Sequence, residues 1–113
     1  ALWNRSLVKE QDQNMHNLFE LIRRADISFV NFEQITANSG YPVKVPPAMA
    51  NPSIVSEFAW AGFDLVSLAN NHTMDFGPSG LETTLRALDR AGIKYSGAGR
   101  TLAEALRPAL VER

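Results

Sequence analysis

The chain has 113 residues, 45% hydrophobic and 20% charged, with a net charge of −1. That suffices for one domain with a modest core and supplies no global basic field for nucleic acid. The absence of cysteine excludes disulfide staples, thiolate zinc sites and cysteine nucleophiles, and leaves the redox compartment open. No apolar run approaches the ~18 residues of a membrane span, and no signal-peptide pattern is visible. The basic residues are scattered apart from Arg23-Arg24, which fits the last turn of a helix.

Residues 13–24 read as a helix, with Met15, Leu18, Phe19 and Ile22 on one apolar face. Asp26 to Phe32 reads as a strand rich in β-branched and aromatic residues. Residues 34–50, with Gly40, Pro42, Pro46 and Pro47, form a long irregular stretch, and Tyr41 to Val45 could add a short edge strand. Connections longer than about 12–15 residues are uncommon in compact domains and often functional. Asn51-Pro52 is an N-cap followed by proline at the first helical position, opening a helix to about Ala61 that stops at Gly62. Phe63 to Ala69 is the second strand. Gly77-Pro78 opens a third helix with Leu81, Thr84, Leu85 and Leu88 inside and Gly92 as its stop. Ile93 to Ser96 is a third strand. Gly97-Ala98-Gly99 is a turn, Thr101 caps a short helix through Leu106, and Pro108 to Val111 starts a fourth strand.

This alternation of helix and strand predicts an α/β fold with a parallel sheet and right-handed crossovers, so that all strand carboxyl ends share one edge. A sheet covered on both faces needs more strands than these, so residues 1–113 are expected to be a single partial domain. Apolar faces left open make a homo-oligomer an expected partner arrangement.

Ligands of open α/β sheets bind at the carboxyl ends of the strands. Three loops converge there. The first carries Asn31, Glu33 and Gln34; the second carries Asn70, Asn71, His72 and Asp75; the third is the Gly97-Ala98-Gly99 turn. Carboxylate, amide oxygen and imidazole together suit a divalent ion such as Mn²⁺, Fe²⁺, Zn²⁺ or Mg²⁺. His72 is then either a ligand or a general acid protonating a leaving oxygen. The backbone amides of Gly97 and Gly99 can approach an anion closely. Each residue also has a plain structural alternative. Glu33 can be a solvated loop carboxylate, Asn31 a strand terminator, Asn70-Asn71 turn formers, Asp75 the cap of a turn, and Gly97-Ala98-Gly99 an ordinary turn. His16 lacks ligand partners at i±4 and reads as a surface residue; Trp3 and Trp60 read as packing residues. No Gly-x-Ser-x-Gly elbow, phosphate loop or His-Glu-x-x-His occurs.

Two blocks carry a family resemblance. Ala25 to Glu33, a strand ending Asn31-Phe32-Glu33, is similar to the Asn-Leu-Glu strand of the bacterial capsule-synthesis, or poly-γ-glutamate biosynthesis, family (the CapA type), with phenylalanine in place of leucine. The block Ala61 to His72, continued by Asp75-Phe76-Gly77, Gly80-Leu81 and Gly97-Ala98-Gly99, resembles the same family. The resemblance spans residues 18–113. It implies a calcineurin-like metallophosphoesterase (αββα) domain, of which this chain is the early-to-middle portion. It further implies that Asn71 ligates a metal and that His72 faces the scissile phosphate. Glu33, with Asn31, would occupy another ligand-bearing loop, and Asn70, Asp75, Gly97 and Gly99 would lie toward the substrate. The family's opening strand ends in Gly-Asp, a dipeptide absent from this sequence, and the superfamily's late histidine ligands have no counterpart here. The resemblance implies a divalent-metal-dependent, phosphoesterase-like hydrolase or transferase-like factor that makes or handles envelope polymer such as poly-γ-glutamate, with envelope polymer or a phosphoester as substrate, in the cell envelope. The alternative is a non-catalytic assembly factor that keeps the fold and binds polymer.

Overall fold

The computed structural model describes residues 6–37, 42–43 and 47–112. Helix α1 spans Gln13–Arg23, and Asp12 caps it in an extended conformation, accepting from the Asn14 N–H at 2.7 Å. Of its expected apolar face, Phe19 is buried and Leu18 is exposed. Phe19 meets Trp60 edge-on at 5.4 Å, and the Arg23 guanidinium lies 4.4 Å from the Trp60 ring, so Trp60 packs as the sequence predicts. Trp3 lies outside the described residues. His16 differs from expectation: its ring is half-buried, edge-on to Phe19, with Nε2 2.7 Å from the Glu10 carbonyl.

Strand β1 spans Phe29–Asn31, β4 Leu65–Ser67 and β5 Lys94–Ser96. All pair in parallel in the order β1-β4-β5, with Phe29, Leu65 and Lys94 in one row and Asn31, Ser67 and Ser96 in another. The strands are shorter than the apolar runs that predict them. At the entrance to β1 and β4 side chains supplement the ladder: the Ser28 carbonyl accepts from the Leu65 N–H at 3.2 Å, Asp64 Oδ2 accepts from the Ser28 N–H at 2.9 Å, and the Ser28 hydroxyl donates to the Gly62 carbonyl.

Between β1 and β4 lie β2 (Ile35–Thr36), β3 (Met49–Ala50) and helix α2 (Ser53–Ala61). Strands β2 and β3 make a second, two-stranded parallel sheet inside the stretch the sequence reads as irregular. Its residues Ile35, Thr36 and Ala50 are all but fully buried. The Thr36 N–H donates to Thr84 Oγ1 at 2.9 Å, which fixes this sheet to helix α3 (Gly77–Ala91). The edge strand expected over 41–45 lies largely outside the described residues.

Asn51 Oδ1 accepts from the Ser53 N–H at 2.9 Å and Pro52 already has helical dihedrals, the start that Asn51-Pro52 encodes. Helices α2 and α3 both end on left-handed glycines, Gly62 and Gly92. Leu81, Thr84, Leu85 and Leu88 of α3 are buried as predicted and pack with Val55, Phe58, Val66 and Ile93 into one core. The opposite sheet face is open, with Phe29 60% exposed.

Helix α4 (Leu102–Ala105) follows Thr101, whose hydroxyl accepts from the Glu104 N–H at 3.1 Å. The fourth strand expected from Pro108 to Val111 is corrected: these residues form no strand. Pro108 has no N–H to donate, and the segment is held beside β5 by the Ser96 hydroxyl donating to the Arg107 carbonyl at 2.9 Å. The result is an α/β arrangement of parallel strands and helices, consistent with part of a metallophosphoesterase-like domain. No helix among the described residues is long and apolar enough to cross a membrane.

Candidate functional site

Because β1 and β4 are parallel and in register at Asn31 and Ser67, the segments leaving them emerge side by side. The ladder runs one residue past each strand, through Phe32 N–H to the Ser67 carbonyl at 3.0 Å and Leu68 N–H to the Ser96 carbonyl at 2.9 Å. Beyond that point side chains take over.

Asn70 is the bracket between the two loops. Its Nδ2 donates to the Phe32 carbonyl at 3.0 Å and to Asn31 Oδ1 at 3.3 Å. Its Oδ1 accepts from the His72 N–H at 3.0 Å and lies 3.2 Å from the Thr73 hydroxyl, whose proton goes to the Leu68 carbonyl. A carboxamide offers two N–H donors and two acceptor lone pairs, so both donors and one lone pair are engaged within the protein. Asn31 Nδ2 in turn donates to Glu33 Oε2 at 3.2 Å. The chain from Glu33 through Asn31 to Asn70 and the His72 backbone is continuous.

Residues 71–76 form a tight turn. Within it His72 Nδ1 lies 2.7 Å from Asp75 Oδ2, with the carboxylate fully buried and the imidazole 22% exposed. The same Asp75 oxygen accepts from the Ala48 N–H at 2.7 Å, and the Asp75 carbonyl accepts from the Val43 N–H at 2.7 Å. Asp75 thus ties the imidazole to the segment entering β3. It does not cap α3, which begins after Phe76 without a side-chain cap.

His72, Asn31 and Glu33 border a pocket of about 340 Å³ whose floor is Val30, Phe32, Ile54 and Phe58. A mostly apolar concavity with a few convergent polar groups is the usual form of a ligand site. The predicted site residues therefore separate into groups. Asn31, Glu33 and His72 share this pocket. Asp75 stands behind it, buried, and reaches the pocket only through His72. Asn71 is exposed on the turn. Gly97 and Gly99 line a different concavity, with Leu68, Asn70 and Met74. A Cβ on Gly97 would meet the Ala69 backbone nitrogen at 2.8 Å, and one on Gly99 would meet Glu104 Cβ at 2.4 Å, so both glycines serve close packing of the turn against its neighbours.

A divalent cation would find a carboxylate at Glu33, an imidazole nitrogen at His72 and amide oxygens in the same loops. This donor chemistry fits one side of a coordination shell. Among the described residues no three histidine, aspartate or glutamate side chains converge on one such point.

What the residue-by-residue reading missed is the Ala48 amide and the pairing of His72 with Asp75. The second had a signal: the two stand three apart within a run that contains no helix or strand pattern, the spacing of a side-chain bond across a single turn.

The bacterial capsule synthesis protein model, PGA_cap, matches residues 3–113. An uncharacterised protein of Sinorhizobium fredii is 30% identical over 116 aligned residues, covering 96% of this chain and 25% of that protein. A Mycobacterium tuberculosis protein named "Probable polyglutamine synthesis accessory protein" is 39% identical over 88 residues, covering 76% of this chain and 23% of its own length. The capsule biosynthesis protein CapA of Bacillus anthracis is 46% identical over 39 residues, 34% of this chain and 10% of CapA. The chain spans about a quarter of the length of the curated relatives it matches first. Both loops of the pocket lie inside the matched stretch, and the chain belongs to the bacterial capsule synthesis protein family, PGA_cap.

Proposed function

We propose that this region supplies one wall of a divalent-metal-dependent phosphoester site in a protein that makes or handles capsular or poly-γ-glutamate-type polymer in the cell envelope. The observation that carries the reading is the convergence of Asn31, Glu33 and His72, from the ends of two adjacent parallel strands, on one pocket, with His72 backed by the buried Asp75 carboxylate. In this reading Glu33, Asn31 and Asn71 would hold the metal, which would supply Lewis-acid charge to the pocket. Asn70 keeps the two loops in register. The imidazole of His72 meets the substrate, and the apolar floor excludes water beneath it. The family's envelope role supports the polymer; the relatives' names concern polyglutamine synthesis and capsule biosynthesis.

The test is made on the longer protein that contains this chain. Mn²⁺ calorimetry is run on the parent, on His72→Ala and on a Glu33→Ala/Asn71→Ala double variant, beside hydrolysis of a simple aryl phosphate. The double variant is expected to weaken metal binding at least tenfold. His72→Ala is expected to lower turnover by about 10²–10⁴ while changing metal affinity less. Unchanged metal binding and turnover in all variants would overturn the reading in favour of a non-catalytic assembly factor that binds polymer.

A further inference from the structure

We infer that Asp75 is a positioning residue that fixes His72 in its Nδ1–H tautomer, so that Nε2 faces the pocket as a lone pair. Two contacts on one oxygen carry this. Asp75 Oδ2 accepts from the Ala48 N–H at 2.7 Å and sits 2.7 Å from His72 Nδ1. An ionised carboxylate has only lone pairs to offer, and this oxygen receives a backbone N–H with one of them, so the short contact to Nδ1 needs the hydrogen on the imidazole. Which nitrogen of a histidine is protonated follows from the bond that the other one makes. Asp75 is fully buried within a turn that α3 and the segment entering β3 hold in place, so the ring has one orientation to adopt. Nδ1 is used, and Nε2 is the nitrogen left for the pocket.

The sequence leaves His72 as either a ligand or a proton donor. The dyad narrows that choice. A neutral His72 with Nδ1–H presents an acceptor to the pocket: it takes a proton from a hydroxyl or water, or ligates a cation, and it donates through Nε2 only after first gaining a proton. Aspartate behind an imidazole also holds the direction of the far nitrogen. The functional weight of this assignment rests on the pocket reading above; the tautomer itself does not.

The chain carries its own control. His16 and His72 are its two histidines. His16 Nε2 lies 2.7 Å from the Glu10 carbonyl, a group that only accepts, so His16 is the Nε2–H tautomer. Long-range ¹H–¹⁵N correlation spectra of the full chain, recorded over a pH series and read where the patterns no longer change toward high pH, report both rings. The expected result is opposite patterns: Nδ1–H for His72 and Nε2–H for His16. An Nε2–H pattern for His72, or an average of the two tautomers, overturns the inference. Asp75→Asn keeps one oxygen for both donors and is expected to retain the Nδ1–H pattern. Asp75→Ala removes the acceptor and is expected to lose it while His16 stays unchanged. If Asp75→Ala does not fold, which loss of the His16 pattern would reveal, the wild-type spectrum decides alone. Failure here is separable from failure of the pocket reading. Turnover that survives His72→Ala removes the latter and leaves the tautomer standing, whereas an Nε2–H signal for His72 does the reverse.

Discussion

The turns that follow β4 and β5 leave neighbouring strands at the same sheet edge, from Ser67 and Ser96 in one row, yet they are made of different material. After β4, residues 70–76 carry an imidazole, a buried carboxylate and two amides, and their side chains bond to the loop after β1 and to the segment before β3. After β5 the turn is Gly97-Ala98-Gly99, and its content is the space its missing side chains leave for others. The sequence places both at a carboxyl edge, where either could be a ligand site. The structure separates them: one turn directs polar atoms toward a pocket, and the other buttresses it by letting Ala69 and helix α4 come close. Position at a strand end does not make a site; side chains with capacity directed outward do.

The largest expected effect tests the buttress. Gly97 has φ +94°, and a Cβ there would lie 2.6 Å from Ala69 Cβ and 2.8 Å from its nitrogen. Gly97→Ala therefore combines backbone strain with an overlap that backbone cannot relieve, and should cost about 2–4 kcal/mol in urea or thermal unfolding. Gly92, at φ +73° with nothing within 4 Å of its would-be Cβ, isolates the conformational part. Gly92→Ala should cost about 1 kcal/mol. Equal losses in the two variants would mean that the approach to Ala69 is not what Gly97 serves.

A smaller effect tests the polar turn. Asn70→Ala removes three hydrogen bonds, two across the gap to the loop after β1 and one to the His72 N–H. Solvent reaches much of this region, so the net loss should be about 1–2 kcal/mol rather than the sum of three full bonds. The sharper readout is local: amide exchange at Phe32 to Gln34 and at His72 should accelerate together if Asn70 couples the loops. Acceleration confined to residues 70–73 would mean that the two loops are held independently.

Much of this was legible from pattern. The 3.6-residue rhythm of Leu81, Leu85 and Leu88 gave α3 its buried face, and Gly62 and Gly92 marked helix ends because left-handed geometry there admits glycine most readily. The parallel sheet followed from alternation, and with it the meeting of Asn31, Glu33 and His72 at one edge. Other features depended on partners far along the chain. Ile35-Thr36 and Met49-Ala50 are too short to show alternation, and they are strands because they pair with each other and dock on Thr84. Pro108 to Val111 has strand-like composition but no ladder to join. Asp75 reads as a residue toward the substrate or as the cap of a turn; that it accepts from the Ala48 N–H, 27 positions earlier, has no local signal. Gly97-Ala98-Gly99 looks like an anion cradle until Ala69 is seen filling the space.

The smallest effect distinguishes the turns by pH. The turn after β5 is followed by Arg100, which binds Glu82 of α3 at 2.7 Å, while Arg86 binds the same carboxylate at 2.6 Å. Hydrogen bonding by Arg100, then by Arg86, holds the Glu82 carboxyl below its ordinary value of 4.5. A carboxyl so depressed in the folded state stabilises the fold fully above its unfolded value, and that contribution disappears as pH falls through the folded value. Wild-type stability should therefore decline on acidification below about 4.5 more than that of Glu82→Gln, and added salt should shrink the difference because the pairs are exposed to solvent. The His72–Asp75 contact, with its carboxylate fully buried, is shielded from that screening. If salt left the Glu82 increment untouched, the contrast between an outer, solvent-screened turn and an inner, buried one would be drawn in the wrong place.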